Sequence, residues 1–138
     1  MQRNTSQRKA IRRAFLEIDR PMTPPDVHAA ARKHCSRLGI ATVYRTLKGL
    51  CQEGWLVPFD LPGESVTYYE RTQSHHHHFV CRRCKQLFKV ECLAQDFQKL
   101  IPAGFVLEDH EFLLYGVCVT CNRGKGRSRR GSGGKPKR

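Results

Sequence analysis

Four consecutive histidines, His75 to His78, stand just ahead of a Cys-x-x-Cys pair in "HHHHFVCRRC", and a second such pair, Cys118 and Cys121, follows after 33 intervening residues. Imidazole nitrogen and thiolate sulfur are the donors zinc favours, and two Cys-x-x-Cys pairs complete a closed tetrahedron of the structural type. Cys81, Cys84, Cys118 and Cys121 therefore read as a structural Zn2+ site that clips the end of the domain to its middle. Free thiols or redox pairs are the alternative. Cys35, Cys51 and Cys92 stand alone in the sequence, the first two on the inner faces of expected helices, and read as small hydrophobes rather than ligands. The histidine run leads toward "FVCRRC" and is expected to enter a strand, where successive side chains alternate sides. His75 and His77 then point one way and His76 and His78 the other, so that one run feeds two separate metal sites. A solvated polar stretch is the bland alternative.

A chain of 138 residues, 39% of them hydrophobic, has room for one ordinary domain or two small ones. No apolar run approaches the ~20 residues of a membrane span, and the first 18 residues carry six charges and no signal-peptide pattern. The expectation is a soluble cytoplasmic protein without a membrane partner, in a reducing compartment where paired cysteines bind metal rather than each other. The net charge of +13 divides unevenly. From Asn122 onward "NRGKGRSRRGSGGKPKR" holds eight Lys/Arg and no acid, while the rest holds 17 basic and 12 acidic residues. The tail is rich in Gly and Ser, lacks apolar residues and is expected to be disordered. It serves either nonspecific phosphate affinity or solubility.

The elements that must position the ligands are also legible. In "TSQRKAIRRAFLEI", Ile11, Ala14, Phe15 and Ile18 recur at helical spacing. "MTPPDVHAAARKHC" starts like a helix, with Thr23 as N-cap, Pro24 in the first turn and Asp26 closing a capping box. Val27, Ala30, Ala31, His34, Cys35 and Leu38 then follow one face. A third helix is expected from about Thr42, with Val43, Leu47, Leu50 and Cys51 inward, Tyr44, Arg45 and Lys48 outward, and Gly54 as its stop. Two β-prone runs flank Pro62-Gly63 as a hairpin. Three helices and a hairpin make a winged helix-turn-helix, whose third helix enters the major groove of DNA and reads bases with Tyr44 and Arg45. A charged, merely solvated helix face is the alternative.

Taken in order, "TSQRKAI", "GIATVYRTLKGLCQEG", "HHHHFVCRRC", "HEFLLYGVC" and the closing Cys-x-x-Cys closely resemble the ferric uptake regulator family over residues 3–121. The resemblance implies an α+β fold, an N-terminal winged helix-turn-helix followed by a small α/β dimerisation domain. It implies a DNA-binding domain with its wing at residues 1–70, a metal-binding dimerisation domain at 71–121 and a basic tail at 122–138. It also implies a homodimeric, metal-dependent repressor of metal-homeostasis genes, bound to a double-stranded DNA operator and performing no catalysis. Carried over residue by residue, Cys81, Cys84, Cys118 and Cys121 match the structural zinc site. His75, His77, Asp96 and His110 match a second site, and Glu70, His76 and His78 the regulatory site between the domains. In many members a histidine just before the second helix completes the regulatory site. Pro21 stands there in this chain, leaving the place to Asp60, His34, Glu91 or water. Arg3, Arg8, Thr42, Tyr44, Arg45 and Lys48 fall at DNA-facing positions.

If an ion joins the two domains, it raises DNA affinity by favouring the conformer whose recognition helices match the operator. The regulatory metal reads as Fe2+, Zn2+ or Mn2+, since imidazole and carboxylate suit all three. Glu70, where zinc-sensing relatives often carry cysteine, leans to iron. His77, where iron sensors commonly carry aspartate, leans back to zinc. Iron is the reading carried forward, with a zinc-responsive regulator as its alternative. Peroxide sensing is disfavoured by Pro21 and by Lys89, which stands at a position acidic in those sensors. A metalloenzyme would need an open coordination position and a general base, and "HEFLL" holds only half of an HExxH motif. A zinc-ribbon scaffold binding nucleic acid leaves Glu70 and the histidines unexplained.

Overall fold

The apolar stripe of the first helix decides where the N-terminal core lies. In a computed structural model, which describes residues 2–73, 75–92 and 94–129, with the side chains of 2–4, 94–96 and 125–129 outside the described set, α1 runs Gln2–Glu17. Its Ile11, Ala14 and Phe15 are fully buried. They meet Val27 and Ala31 of α2 (Pro24–Ala31) and Val43, Leu47 and Leu50 of α3 (Ile40–Gln52). Each large side chain so buried contributes about 1.5–3 kcal/mol. Phe15 packs edge-on against Trp55 at 6.1 Å, and the Arg12 guanidinium covers the same indole at 4.6 Å.

The capping box at α2 forms as the sequence predicts. Asp26 N–H donates to Thr23 Oγ1 at 3.3 Å, Thr23 N–H donates to Asp26 Oδ2 at 3.1 Å, and Pro24 occupies the first turn. Thr23→Ala is therefore expected to cost about 1 kcal/mol, read as a lower urea midpoint with unchanged slope. The helix then stops at Ala31 instead of running on to Leu38. Beyond it the chain turns, with Leu38 N–H donating to the Cys35 carbonyl at 3.1 Å and His28 Nε2 lying 2.8 Å from the Leu38 carbonyl oxygen. This turn brings Leu38 into the core from outside a helix. It leaves His34 exposed, beside Glu17 at 2.9 Å, rather than on the buried face. Cys35 and Cys51 are only half-buried. Helix α3 begins at Ile40, slightly earlier than Thr42, because Gly39 takes the extended N-cap conformation.

Strands β1 (Leu56–Asp60) and β2 (Thr67–Arg71) pair antiparallel from Leu56↔Arg71 to Asp60↔Thr67. Gly63 in the connection has φ +79, a left-handed value that glycine adopts without cost. Met22, between α1 and α2, bridges Tyr69 through reciprocal N–H···O bonds of 2.9 and 2.8 Å. That bridge fastens the wing to the helices.

The chain divides into two compact units, Met1–Ser74 and His75–Arg138. In the second, β3 (His77–Cys81) is central, antiparallel to β4 (Leu87–Val90) and parallel to β5 (Leu113–Gly116). A 3-10 helix, Ala94–Leu100, lies between β4 and β5 in sequence. Only His77 and His78 of the histidine run belong to the strand; His75 and His76 lead into it. A Cβ at Gly116 would lie 2.7 Å from Phe79 Cζ, so any larger residue there must displace that ring. Helix α4, Val119–Arg129, extends into the stretch expected to be disordered from Asn122. It starts at the second cysteine pair, where Asn122 N–H donates to the Cys118 carbonyl at 2.8 Å. Residues 130–138 lie outside the described residues. The fold class is α+β, and no described helix is long and apolar enough to cross a membrane.

Candidate metal centres

The parallel pairing of β3 with β5 brings the two cysteine pairs together. Cys81 ends β3 opposite Gly116, and Cys118 lies two residues beyond the end of β5. The sulfurs of Cys81, Cys84, Cys118 and Cys121 all lie within 4.8 Å of one another, and Cys84 Sγ is 3.9 Å from Cys118 Sγ. A zinc tetrahedron with Zn–S bonds of about 2.3 Å sets its sulfurs about 3.8 Å apart. The turn after β3 is shaped for this. Lys85 takes φ +63 and donates its N–H to the Cys81 carbonyl at 2.8 Å. Arg82 is bonded to the Gly116 carbonyl at 2.8 Å, with its guanidinium over Tyr115 at 4.7 Å.

The electrostatics fit a cation. Burial works against a Cys81 thiolate, but the backbone N–H groups of Cys84, Cys118 and Arg83 outweigh it and bring the thiol down to about 6. The N–H groups of Cys84 and Cys118 lie 3.5 and 3.3 Å from its sulfur. Burial, reinforced by the three neighbouring thiols, pushes Cys121 up to about 12, and burial also raises Cys84. A thiolate is favoured at Cys81, while Cys84 and Cys121 are held toward the thiol until a positive charge joins them. All seven cysteines are free.

A second cluster forms at the other end of β3. His75, His77 and His110 gather with Cys92, their ligand atoms within 4.8 Å of one another. His75 Nε2 lies 3.2 Å and Cys92 Sγ 3.1 Å from His110 Nε2. Cys92 does not stand alone as its sequence position implied. The signal was in the hairpin: His77 pairs with Val90, and continuing that register past the strand ends sets Cys92 opposite His75. The side chain of Asp96, the expected fourth ligand, lies outside the described residues. His77 is buried, and its Nδ1 accepts the Phe112 N–H at 3.1 Å while Nε2 has no hydrogen-bond partner among the described residues. Burial, then the neighbouring imidazoles, hold its pKa below the ordinary value, which keeps the ring neutral as ligation requires. An ion bound at Nε2 would require the ring proton on Nδ1, and the Phe112 N–H would then lose this acceptor.

The rings of His76 and His78 lie together, with centroids 4.8 Å apart. Glu70, on β2 opposite Val57, is a buried carboxylate. Of the residues considered for a fourth ligand, Asp60 accepts the Thr67 hydroxyl at 2.8 Å and His34 pairs with Glu17. Pro21 is buried.

In the first unit the outward face of α3 carries exposed Tyr44, Arg45 and Lys48, with Arg45 donating to Thr42 Oγ1 at 3.1 Å. An open cleft of about 400 Å³ is lined by Thr5, Arg8, Thr42, Arg45 and Thr46. Arg8 of α1 pairs with Glu53, the C-cap of α3. The side chain of Arg3 lies outside the described residues.

This arrangement has counterparts among known proteins. The Ferric uptake regulator family model matches residues 2–115. The chain belongs to the ferric uptake regulator family. It is 33% identical over 127 residues to the ferric uptake regulation protein of Campylobacter jejuni, covering 88% of this chain and 80% of that protein. It is 32% identical to the zinc uptake regulation protein of Mycobacterium tuberculosis, with 86% and 94% covered. Among solved structures it resembles a zinc-bound manganese uptake regulator (TM-score 0.73, 25% identity, 82% and 88% covered). It also resembles the Vibrio cholerae ferric uptake regulator (TM-score 0.64, 26% identity, 81% and 88% covered). Members of this family are DNA-binding transcription regulators that respond to metals and act as dimers, not enzymes. This Fur-family chain is accordingly a metal-responsive regulator.

Proposed function

We propose that this Fur-family protein is a homodimeric repressor of metal-homeostasis genes, with structural zinc at its four paired cysteines and Fe2+ as the metal that switches operator binding. In this reading residues 1–70 bind DNA, residues 71–121 bind metal and dimerise, and Glu70, His76 and His78 form the regulatory site. The supporting observation is the segregation of the histidine run, His75 and His77 with His110 on one side and His76 with His78 on the other. Carboxylate and imidazole donors without a thiolate suit Fe2+ or Mn2+ as well as Zn2+. An ion held by both units restrains their mutual orientation, and hence the spacing of two recognition helices in a dimer. The zinc-responsive alternative draws support from His77, an imidazole where an aspartate would favour iron. For dimerisation, Phe105, Val106, Leu114 and Val119 supply exposed apolar surface in the second unit, and β5 is an open sheet edge.

Two measurements test the reading. Chelated full-length protein, titrated with Fe2+, Mn2+ and Zn2+ in turn, is expected to gain operator affinity most with Fe2+; a response to Zn2+ alone replaces iron by zinc. Arg45→Ala and Tyr44→Ala are each expected to lose about 1–3 kcal/mol of discrimination between operator and random DNA. Equal loss on both DNAs removes α3 from the major groove.

A further inference from the structure

We propose that Cys92 is a metal ligand, and that the His75–His77–His110 cluster is a three-histidine, one-cysteine centre of the zinc class. The proposal deepens the reading of this cluster as a metal site and rests on it. The geometry is that of a site, not of one stray thiol. Tetrahedral zinc, with Zn–N of about 2.0–2.1 Å and Zn–S of about 2.3 Å, spaces its ligand atoms about 3.3–3.6 Å apart. Cys92 Sγ and His75 Nε2 lie 3.1 and 3.2 Å from His110 Nε2, and all four ligand atoms fall within 4.8 Å of one another. An independent sign is His77. Only 3% exposed, it carries an Nε2 without a hydrogen-bond partner among the described residues, on a ring belonging to the same cluster. A buried polar atom left bare costs free energy, and ligation at Nε2 would satisfy it at the expense of the Nδ1–Phe112 hydrogen bond.

The surroundings favour an anionic ligand. Phe97 lies 4.2 Å from His110 and 6.1 Å from His77 between ring centroids, and Phe112 lies 5.1 Å from His77. Beside such walls a divalent cation held by three neutral imidazoles keeps its full charge of +2, and one thiolate halves it. Ligation expels the thiol proton to solvent, so binding is weaker in acid. Sulfur also sets selectivity: a thiolate among imidazoles suits zinc or cobalt and handicaps Mn2+ and Mg2+. Cys92 thus supplies the fourth protein ligand beside the three imidazoles.

The test adds Co2+ to full-length protein whose structural zinc stays in place, verified by elemental analysis. The expected result is a near-ultraviolet thiolate-to-cobalt charge-transfer band that disappears in Cys92→Ser and His110→Ala and persists in His76→Ala and Asp96→Ala. Zinc competition should show Cys92→Ser weakening the site about tenfold or more, since even partners one layer outside the ligands cost about 10–100-fold. Cys92→His should restore affinity without the band. Cobalt bound at the cluster with no thiolate band, or with a band that survives Cys92→Ser, overturns the ligand assignment and leaves the metal site standing. No cobalt at the cluster in the wild-type chain overturns both.

Discussion

Cys81→Ser or Cys118→Ser is expected to strip the zinc and unfold the second unit while the first keeps its own cooperative transition. The expectation follows from how little else holds residues 75–129 together. Among the described residues of that unit the buried apolar side chains are Val80, Cys81, Leu87 and Phe97, against a continuous core of twelve buried residues in the first unit. A domain of this size without a sizeable core needs a staple. Structural zinc in small domains supplies an apparent ~10–16 kcal/mol at neutral pH, as large as the whole ~5–15 kcal/mol by which folded proteins are stable. Serine keeps the volume but removes a thiolate, and Cys81 is the thiol that three N–H groups already hold near 6. Zinc content per chain and thermal melting followed by circular dichroism check this. A zinc-free Cys81→Ser chain with an intact second unit ends the structural assignment.

Loss of metal-stimulated operator binding is the expected outcome of Glu70→Ala, His76→Ala or His78→Ala, with fold and dimer intact. Coupling between two sites is typically worth about 1–3 kcal/mol, so about 5–150-fold in affinity should vanish, leaving the basal affinity of the metal-free protein. His75→Ala, His77→Ala and His110→Ala should behave differently, lowering stability or metal content in the second unit. Four single histidine variants, compared for metal stoichiometry and operator affinity, decide it. If they fail to pair as His75 with His77 and His76 with His78, the two-site division falls.

The sequence made some of this legible because certain signals are local. Thr23, Pro24 and Asp26 announce the start of α2 through contacts spanning three residues, and those hydrogen bonds are present. The Pro62-Gly63 turn likewise fixes a hairpin. What escaped was set by tertiary geometry. Nothing local stops α2 at Ala31; the chain turns there so that Leu38 can reach a core shared with α1 and α3. Cys92 looked solitary because its partners lie 15 to 18 positions away, and only the register of β3 with β4 closes that gap. Cys35 and Cys51 sit on helical spacing that suggests burial, yet both fall at the rim of the packed stripe.

The parallel register of β3 and β5 bears on how the molecule comes into being. Antiparallel β3 and β4 are joined by a short turn, so that hairpin can form as soon as both strands leave the ribosome. Strand β5 must instead come from beyond the 3-10 helix, a non-local pairing that closes slowly because loop entropy is lost before contacts compensate. Until Cys118 and Cys121 have been synthesised, Cys81 and Cys84 are a two-sulfur half-site unable to enclose an ion. Zinc capture therefore waits for residue 121, and a fragment halted before Leu113 would lack both the clip and the third strand.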